Sequence, residues 1–195
     1  VVLGVFALMA MWEAFRPRRQ RALPRTMRWF ANLGLVVVDT VVVRLLFPAA
    51  AVGAAWDAMA GGWGLFNMLD WPLWLEILLT VLILDFAIWA QHVATHHIPI
   101  LWRFHMVHHA DRDMDATTGL RFHPVEIVFS MTLKILLVYL LGAAALAIII
   151  FEVLLNAAAM ITHANFRIPE KLDWVLRYIV VTPDMHRSHH SIKRE

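Results

Sequence analysis

Three stretches of this chain place histidines at the spacing of helical neighbours: "HVATHH" from His92, "HMVHH" from His105 and "HRSHH" from His186. On an α-helix, residues three and four apart have Cβ atoms about 5–6 Å apart. His92 and His96 therefore share a face, as do His105, His108 and His109, and again His186, His189 and His190. A neutral imidazole binds a first-row metal through one nitrogen, at about 2.0–2.1 Å for zinc, and imidazoles from several helices can converge on one ion or on two. These eight histidines exceed what one ion uses. Two metal ions, with room left for a substrate or oxygen, are the economical expectation. His163 in "THANF" and His123 in "RFHP" are further candidate ligands, or else hydrogen-bond partners behind a ligand. His97 is read as a polar tip at the headgroups.

Carboxylates near these histidines have a related role. Asp85 lies two turns before His92 on roughly the same helical face, and an acid within an apolar span is costly unless it faces a polar interior. It is expected to orient a ligating imidazole. Asp115, Glu126 and Asp184 stand beside the histidine clusters, where they could offset the charge of metals held by neutral ligands. Asp111 and Asp113 are expected to be solvated loop charges.

The elements that must carry these residues lie in a membrane. The chain is 61% apolar and 16% charged, with a mean hydropathy of +0.64, outside the range of soluble domains. At 195 residues it has room for one bundle of four or five spans of about 20 residues each, so residues 1–195 are read as a single domain. Cysteine is absent, which removes disulfides, thiolate zinc sites and cysteine-ligated iron–sulfur clusters.

The opening "VVLGVFALMAMW" is short for a full span and lacks a basic n-region. It is expected to be the tail of a helix whose start is missing rather than a signal peptide. The arginine-rich "RPRRQRALPRTMR" follows, and the positive-inside rule assigns it to the cytoplasm. A second apolar stretch runs from about Trp29 to Val52. The Lys- and Arg-free loop "GGWGLFNMLDWP" should face outward, and a third span, about Leu73 to Ala90, returns to deliver His92 just past its end. Residues 125–161 suit two short spans turning near Gly142. All Lys and Arg residues except Arg44 and Lys134 then fall on the cytoplasmic side, together with every histidine cluster. The expected fold is all-α, a polytopic membrane helical bundle with a cytoplasmic histidine-rich metal site.

"DFAIWAQHVATHHIPILWRFHMVHHADRDMDATTGLRFHPVE", "THANFRIP" and "TPDMHRSHHS" together closely resemble the fatty acid hydroxylase/sterol desaturase superfamily of membrane oxygenases. The likeness spans about Asp85 to Ser191. It implies a non-haem diiron centre that activates O2 to hydroxylate or desaturate an unactivated C–H bond of a lipid such as a sterol or fatty acyl chain. By motif, His92 and His96 match the first histidine box, His105, His108 and His109 the second, and His186, His189 and His190 the last. His163 matches the histidine after the apolar hairpin and His123 the one before it. Members continue past the last box into an acidic segment, whereas this chain stops at Glu195, so a fragment truncated at both ends is expected.

No flavin or nicotinamide fingerprint appears, so electrons should come from a partner: a cytochrome b5-like, ferredoxin or rubredoxin carrier. Its docking face would be formed by Arg16 to Arg28, Arg187, Lys193 and Arg194, although juxtamembrane arginines also arise from topology alone. No nucleic acid partner is expected. A zinc-dependent lipid hydrolase could use the same imidazoles, and zinc could occupy the purified protein. A metal transporter is disfavoured because such sites lie near the midplane, where these spans carry no histidine.

Overall fold

Pro48 interrupts what hydropathy reads as one continuous stretch. In the computed structural model, which describes residues 1–191, α2 (Arg25–Leu46) ends two residues before it and α3 (Ala50–Gly61) begins two residues after. Proline lacks an N–H and disfavours the helical conformation in its predecessor. Ala50, at the start of α3, has a left-handed φ of 49°.

The other helices are α1 (Val2–Phe15), α4 (Leu73–His97), α5 (Pro99–His109), α6 (Pro124–Leu141), α7 (Ala145–His163), α8 (Glu170–Leu176) and α9 (Pro183–His189). No strand occurs among the described residues. Three of these helices open on proline, at Pro99, Pro124 and Pro183, where the missing N–H is one the first turn leaves unbonded anyway. α5 and α9 each carry a histidine cluster, and α6 begins directly after His123. α4 runs on to His97, past the span end expected near Ala90, so His92 and His96 are helical as their spacing predicts.

Among the described residues, four segments are long and apolar enough to cross a membrane: residues 25–68, Leu73–His97, Pro124–Leu141 and Ala145–His163. Only 11–22% of their most apolar windows is buried within the protein. Their side chains therefore point outward, as lipid rather than water requires.

The chain forms two compact units. The first comprises Val1–Val36, Met106–Arg121 and the described part of Asn156–Glu195; the second comprises Val37–His105 and Phe122–Leu155. The second is centred on Ala51, Ala54 and Ala55 of α3, Leu84 of α4, Val138 of α6 and Phe151 of α7. Small residues on α3 permit the close helix approach that membrane packing favours. The turn expected near Gly142 is present: Gly142 has φ 67° and caps α6 through its N–H to the Val138 carbonyl. A Cβ on Gly64 would stand 2.1 Å from the Gly142 nitrogen, so these two glycines let the loop close on the hairpin. Glu76 Oε1 accepts the Ala144 N–H at 2.6 Å, satisfying a donor just before α7. The first unit packs Met9 against Ala116, Met160, Ala164 and Phe166.

Candidate metal centre

In the second unit, α4 and α5 bring His92, His96 and His105 together. Their ring centroids stand 4.9 Å apart for His92 and His96, 4.7 Å for His92 and His105 and 4.8 Å for His96 and His105. Each offers a ligand atom within 4.8 Å of the others. The i,i+4 pair on α4 follows from the sequence spacing, and the break at Ile98 and Pro99 turns α5 so that His105 reaches them. His105 is fully buried, and its Nδ1 lies 2.7 Å from Glu126 Oε1. A carboxylate accepts only, so Nδ1 carries the hydrogen and Nε2 the lone pair, which is the tautomer a metal needs.

In the first unit, His108, His163, His186 and His190 form a second group. His163 Nε2 lies 3.0 Å from His108 Nε2 and 2.9 Å from His186 Nε2, and His186 Nε2 lies 3.2 Å from His190 Nε2. His108 donates Nδ1–H to the Arg121 carbonyl at 3.0 Å, and His163 donates Nδ1–H to the Ala159 carbonyl at 2.6 Å. Both Nε2 atoms therefore present lone pairs to each other across 3.0 Å. Two lone pairs repel unless a cation stands between them. Ligands at about 2.0–2.1 Å from one ion are themselves separated by about 2.9 Å at right angles and about 3.3 Å in a tetrahedron. The observed separations match that range, so these four imidazoles fit a metal ion.

The sequence expectation that His105, His108 and His109 act from one face is refined, since His105 and His108 join different groups. Three residues along a helix leave a rotation of about 60° between side chains. His109 stacks on His190 at 4.1 Å between ring centroids, and His189 lies 4.9 Å from His109. His123 is not brought to either group. Its Nδ1 accepts the Val125 N–H at 3.1 Å as the N-cap of α6, which leaves the hydrogen of the neutral ring on Nε2 and no lone pair for a metal. His97, expected to be peripheral, is exposed and bonds the Val93 carbonyl of its own helix at 2.9 Å.

Among the four acids, Glu126 takes the orienting position. Asp85 is exposed and makes no side-chain hydrogen bond among the described residues; seven residues of helix are about 10 Å, too far to reach His92. Asp184 lies near Arg18 and Arg187. Asp115, fully buried, accepts from Arg28 Nη1 at 2.7 Å, Trp29 Nε1 at 3.2 Å and the Thr117 hydroxyl at 2.6 Å.

Asp111 is not a solvated loop charge. Arg28 reaches both its oxygens at 2.8 Å, and Thr118 and Asn32 add bonds at 2.7 and 3.0 Å. Burial favours the neutral acid, but these donors outweigh it and hold the Asp111 carboxyl below the usual carboxylate range. Asp113 accepts the Leu23 N–H at 2.7 Å. The acids after the second histidine cluster therefore answer the arginine segment, a pairing across more than eighty residues that local hydropathy does not reveal. The consequence reaches the site through Arg121. Its Nη1 donates to Asn32 Oδ1 at 2.8 Å and its Nε to the Val107 carbonyl at 2.7 Å, while its own carbonyl holds His108.

The same pairs reduce the anticipated docking face. Arg28 is only 5% exposed, and Arg21 and Arg25 turn to the buried Glu13. Lys193 and Arg194 lie outside the described residues. Gly119 is a further contributor that sequence spacing does not signal: a Cβ there would stand 2.5 Å from the Ala159 carbonyl oxygen and 3.0 Å from His163 Nδ1. Only glycine lets the loop approach this end of α7.

Residues 77–195 match the Fatty acid hydroxylase family. Over 197 residues, 98% of this chain, the sequence is 26% identical to ornithine lipid hydroxylase OlsE of Rhizobium tropici, 58% of which is covered. The chain thus spans less than two thirds of that relative's length. No solved structure matches.

Proposed function

Because this chain belongs to the fatty acid hydroxylase family, we propose that it is the catalytic membrane domain of a lipid hydroxylase, working with two iron ions, O2 and electrons from a partner protein. The observation that carries this reading is the convergence of His108, His163, His186 and His190, with Nε2 atoms 2.9–3.2 Å apart along the set. The group of His92, His96 and His105, backed by Glu126, supports the second ion. His109 and His189 complete the ligand set, while His123 serves the helix cap.

When bound, iron supplies the redox chemistry by which one oxygen atom of O2 enters a C–H bond and the other leaves as water. The chain's own residues prepare for this. Glu126 and the carbonyls of Arg121 and Ala159 hold hydrogens on Nδ1 atoms, so that the Nε2 lone pairs stay aligned. The Arg28–Asp111–Asn32–Arg121 network fixes the loop that seats His108. Outward-facing apolar helices keep the site next to hydrocarbon, from which a lipid can enter sideways.

Both histidine groups belong on the cytoplasmic face, as the distribution of Lys and Arg supports. A cytochrome b5-like, ferredoxin or rubredoxin carrier would approach from that side. The relative's name supports a polar lipid of the ornithine-lipid kind as substrate, and hydroxylation rather than desaturation as the outcome. Lipids extracted from cells expressing the full-length protein should contain a species heavier by one oxygen atom, absent with His108→Ala. Identical lipid profiles in the two strains would reject the proposal.

A further inference from the structure

A cleft of about 1290 Å³ opens in the first unit, lined by Arg18, Arg19, Arg187, Asp184, His109 and His190 among others. Two of these residues are imidazoles of the proposed metal set. Arg112, Asp111 and Asp113 also line it, Asp111 and Asp113 being engaged by Arg28 and the Leu23 N–H, and Asp184 holds Arg18 and Arg187 only loosely. Asp184 Oδ1 lies 3.4 Å from Arg18 Nε and 3.6 Å from Arg187 Nε, longer than the about 2.7–2.9 Å of a charge-assisted hydrogen bond. The Arg187 side chain is only 10% exposed, yet its buried Nε has no hydrogen-bond partner. A buried charged donor left in this state is costly, and an incoming acceptor would recover that cost. Arg187 remains a cation at neutral pH.

The arginines are also registered to the metal set through the backbone. Asn165, two residues after His163, accepts the Arg19 N–H at 3.1 Å and donates to the Arg19 carbonyl at 2.9 Å, while its own carbonyl accepts the Arg18 N–H at 2.9 Å. Arg187 Nη2 reaches the Ala164 carbonyl at 3.4 Å. Residues flanking His163 thus fix where the positive charges stand.

We propose that Arg18, Arg19 and Arg187 form a recognition site for the oxyanion, carboxylate or phosphate, of a polar lipid headgroup, and so hold the lipid in register with the imidazoles. Guanidiniums present paired donors that match either anion. The inference rests on the lipid-hydroxylase reading, but its test separates the two, because binding and metal content are measured without turnover.

Full-length protein in nanodiscs of uncharged lipid is titrated with hexyl phosphate, N-hexanoylglycinate, neutral monohexanoin and inorganic phosphate, and its bound metal is quantified in parallel. Both anionic amphiphiles should bind at least about tenfold more tightly than monohexanoin, a step of about 1.4 kcal/mol, and more tightly than inorganic phosphate. Arg18→Gln and Arg19→Gln should each remove most of that preference with metal content unchanged, while Arg187→Lys should weaken it less than Arg187→Gln. Equal binding of monohexanoin, or a preference that survives Arg18→Gln and Arg19→Gln, overturns the proposal. Inorganic phosphate binding as tightly as hexyl phosphate would identify a free-anion site and overturn the headgroup assignment. Intact headgroup binding without any lipid oxidation would instead count against the hydroxylase reading alone.

Discussion

His163 Nε2 faces His108 Nε2 across 3.0 Å, and each ring has its hydrogen held on Nδ1 by a backbone carbonyl. Two lone pairs brought together in this way, one of them on a loop-anchored helix end and the other at the end of α7, suit a shared cation. His163→Ala should therefore lower bound metal by about one ion per chain, while His97→Ala leaves it unchanged. Metal analysis of the purified variants measures this, and equal metal in both would refute the assignment.

Glu126 fixes the tautomer of His105 in the other group. Loss of such an outer partner typically costs about 10–100-fold in metal affinity, so Glu126→Ala should weaken one class of sites by that factor and leave a second class intact. A competitive chelator titration resolves the two classes. Uniform weakening of both would argue against separate groups.

His123 caps α6. His123→Ala should cost about 0.5–2 kcal/mol of stability with full metal content, whereas His123→Asn, which restores a capping acceptor, should recover most of it. Thermal unfolding in detergent with parallel metal analysis checks both; metal loss in His123→Asn would return His123 to the ligand set.

Arg28 neutralises Asp111 and Asp115 in a buried setting. Breaking such a cluster by removing one partner leaves uncompensated charge and costs about 3–5 kcal/mol. Arg28→Ala should unfold the arginine segment and the 110–121 loop together. Arg28→Lys should rescue only partly, since an ammonium cannot contact both Asp111 oxygens and Asp115 at once. Limited proteolysis reads the loop directly.

Asp173 on α8 accepts from Arg177, and the Thr182 hydroxyl before α9 together with this guanidinium holds its carboxyl below the usual range. A carboxyl depressed in the folded state adds stability above its unfolded value, about 3.9, and loses it as pH falls through the lowered value. Amide exchange in residues 183–189 should therefore show an acid-side acceleration below about pH 4 that Asp173→Asn removes by being fast throughout. An unchanged profile in Asp173→Asn would exclude this linkage.

What was legible in the sequence is what depends on short separations. The spacings of His92 with His96 and of His186 with His190 survive unchanged into the site, because helical neighbours need no tertiary information. The hairpin at Gly142 is likewise local. Asp85 was misread because sharing a helical face with His92 does not bring two side chains within reach along the axis. Asp111, Asp113 and Arg28 were misread because a charge run looks the same whether it meets water or a distant partner. Asn32 and Arg121, which stand behind His108, carried no local signal, and Gly119 acquires its meaning only beside His163.

The proposed reaction is oxidation of a lipid at this histidine-built site with iron and O2. The most direct measurement supplies the iron-loaded full-length protein in lipid nanodiscs with ornithine lipid, a reducing partner and isotopically heavy O2, then determines by mass spectrometry where the label goes. The account predicts a hydroxylated lipid carrying one heavy oxygen atom, and no such product from zinc-loaded protein or from iron-loaded His108→Ala. Turnover that persists with zinc and without O2, with product oxygen drawn from water, would contradict it and make the protein a hydrolase.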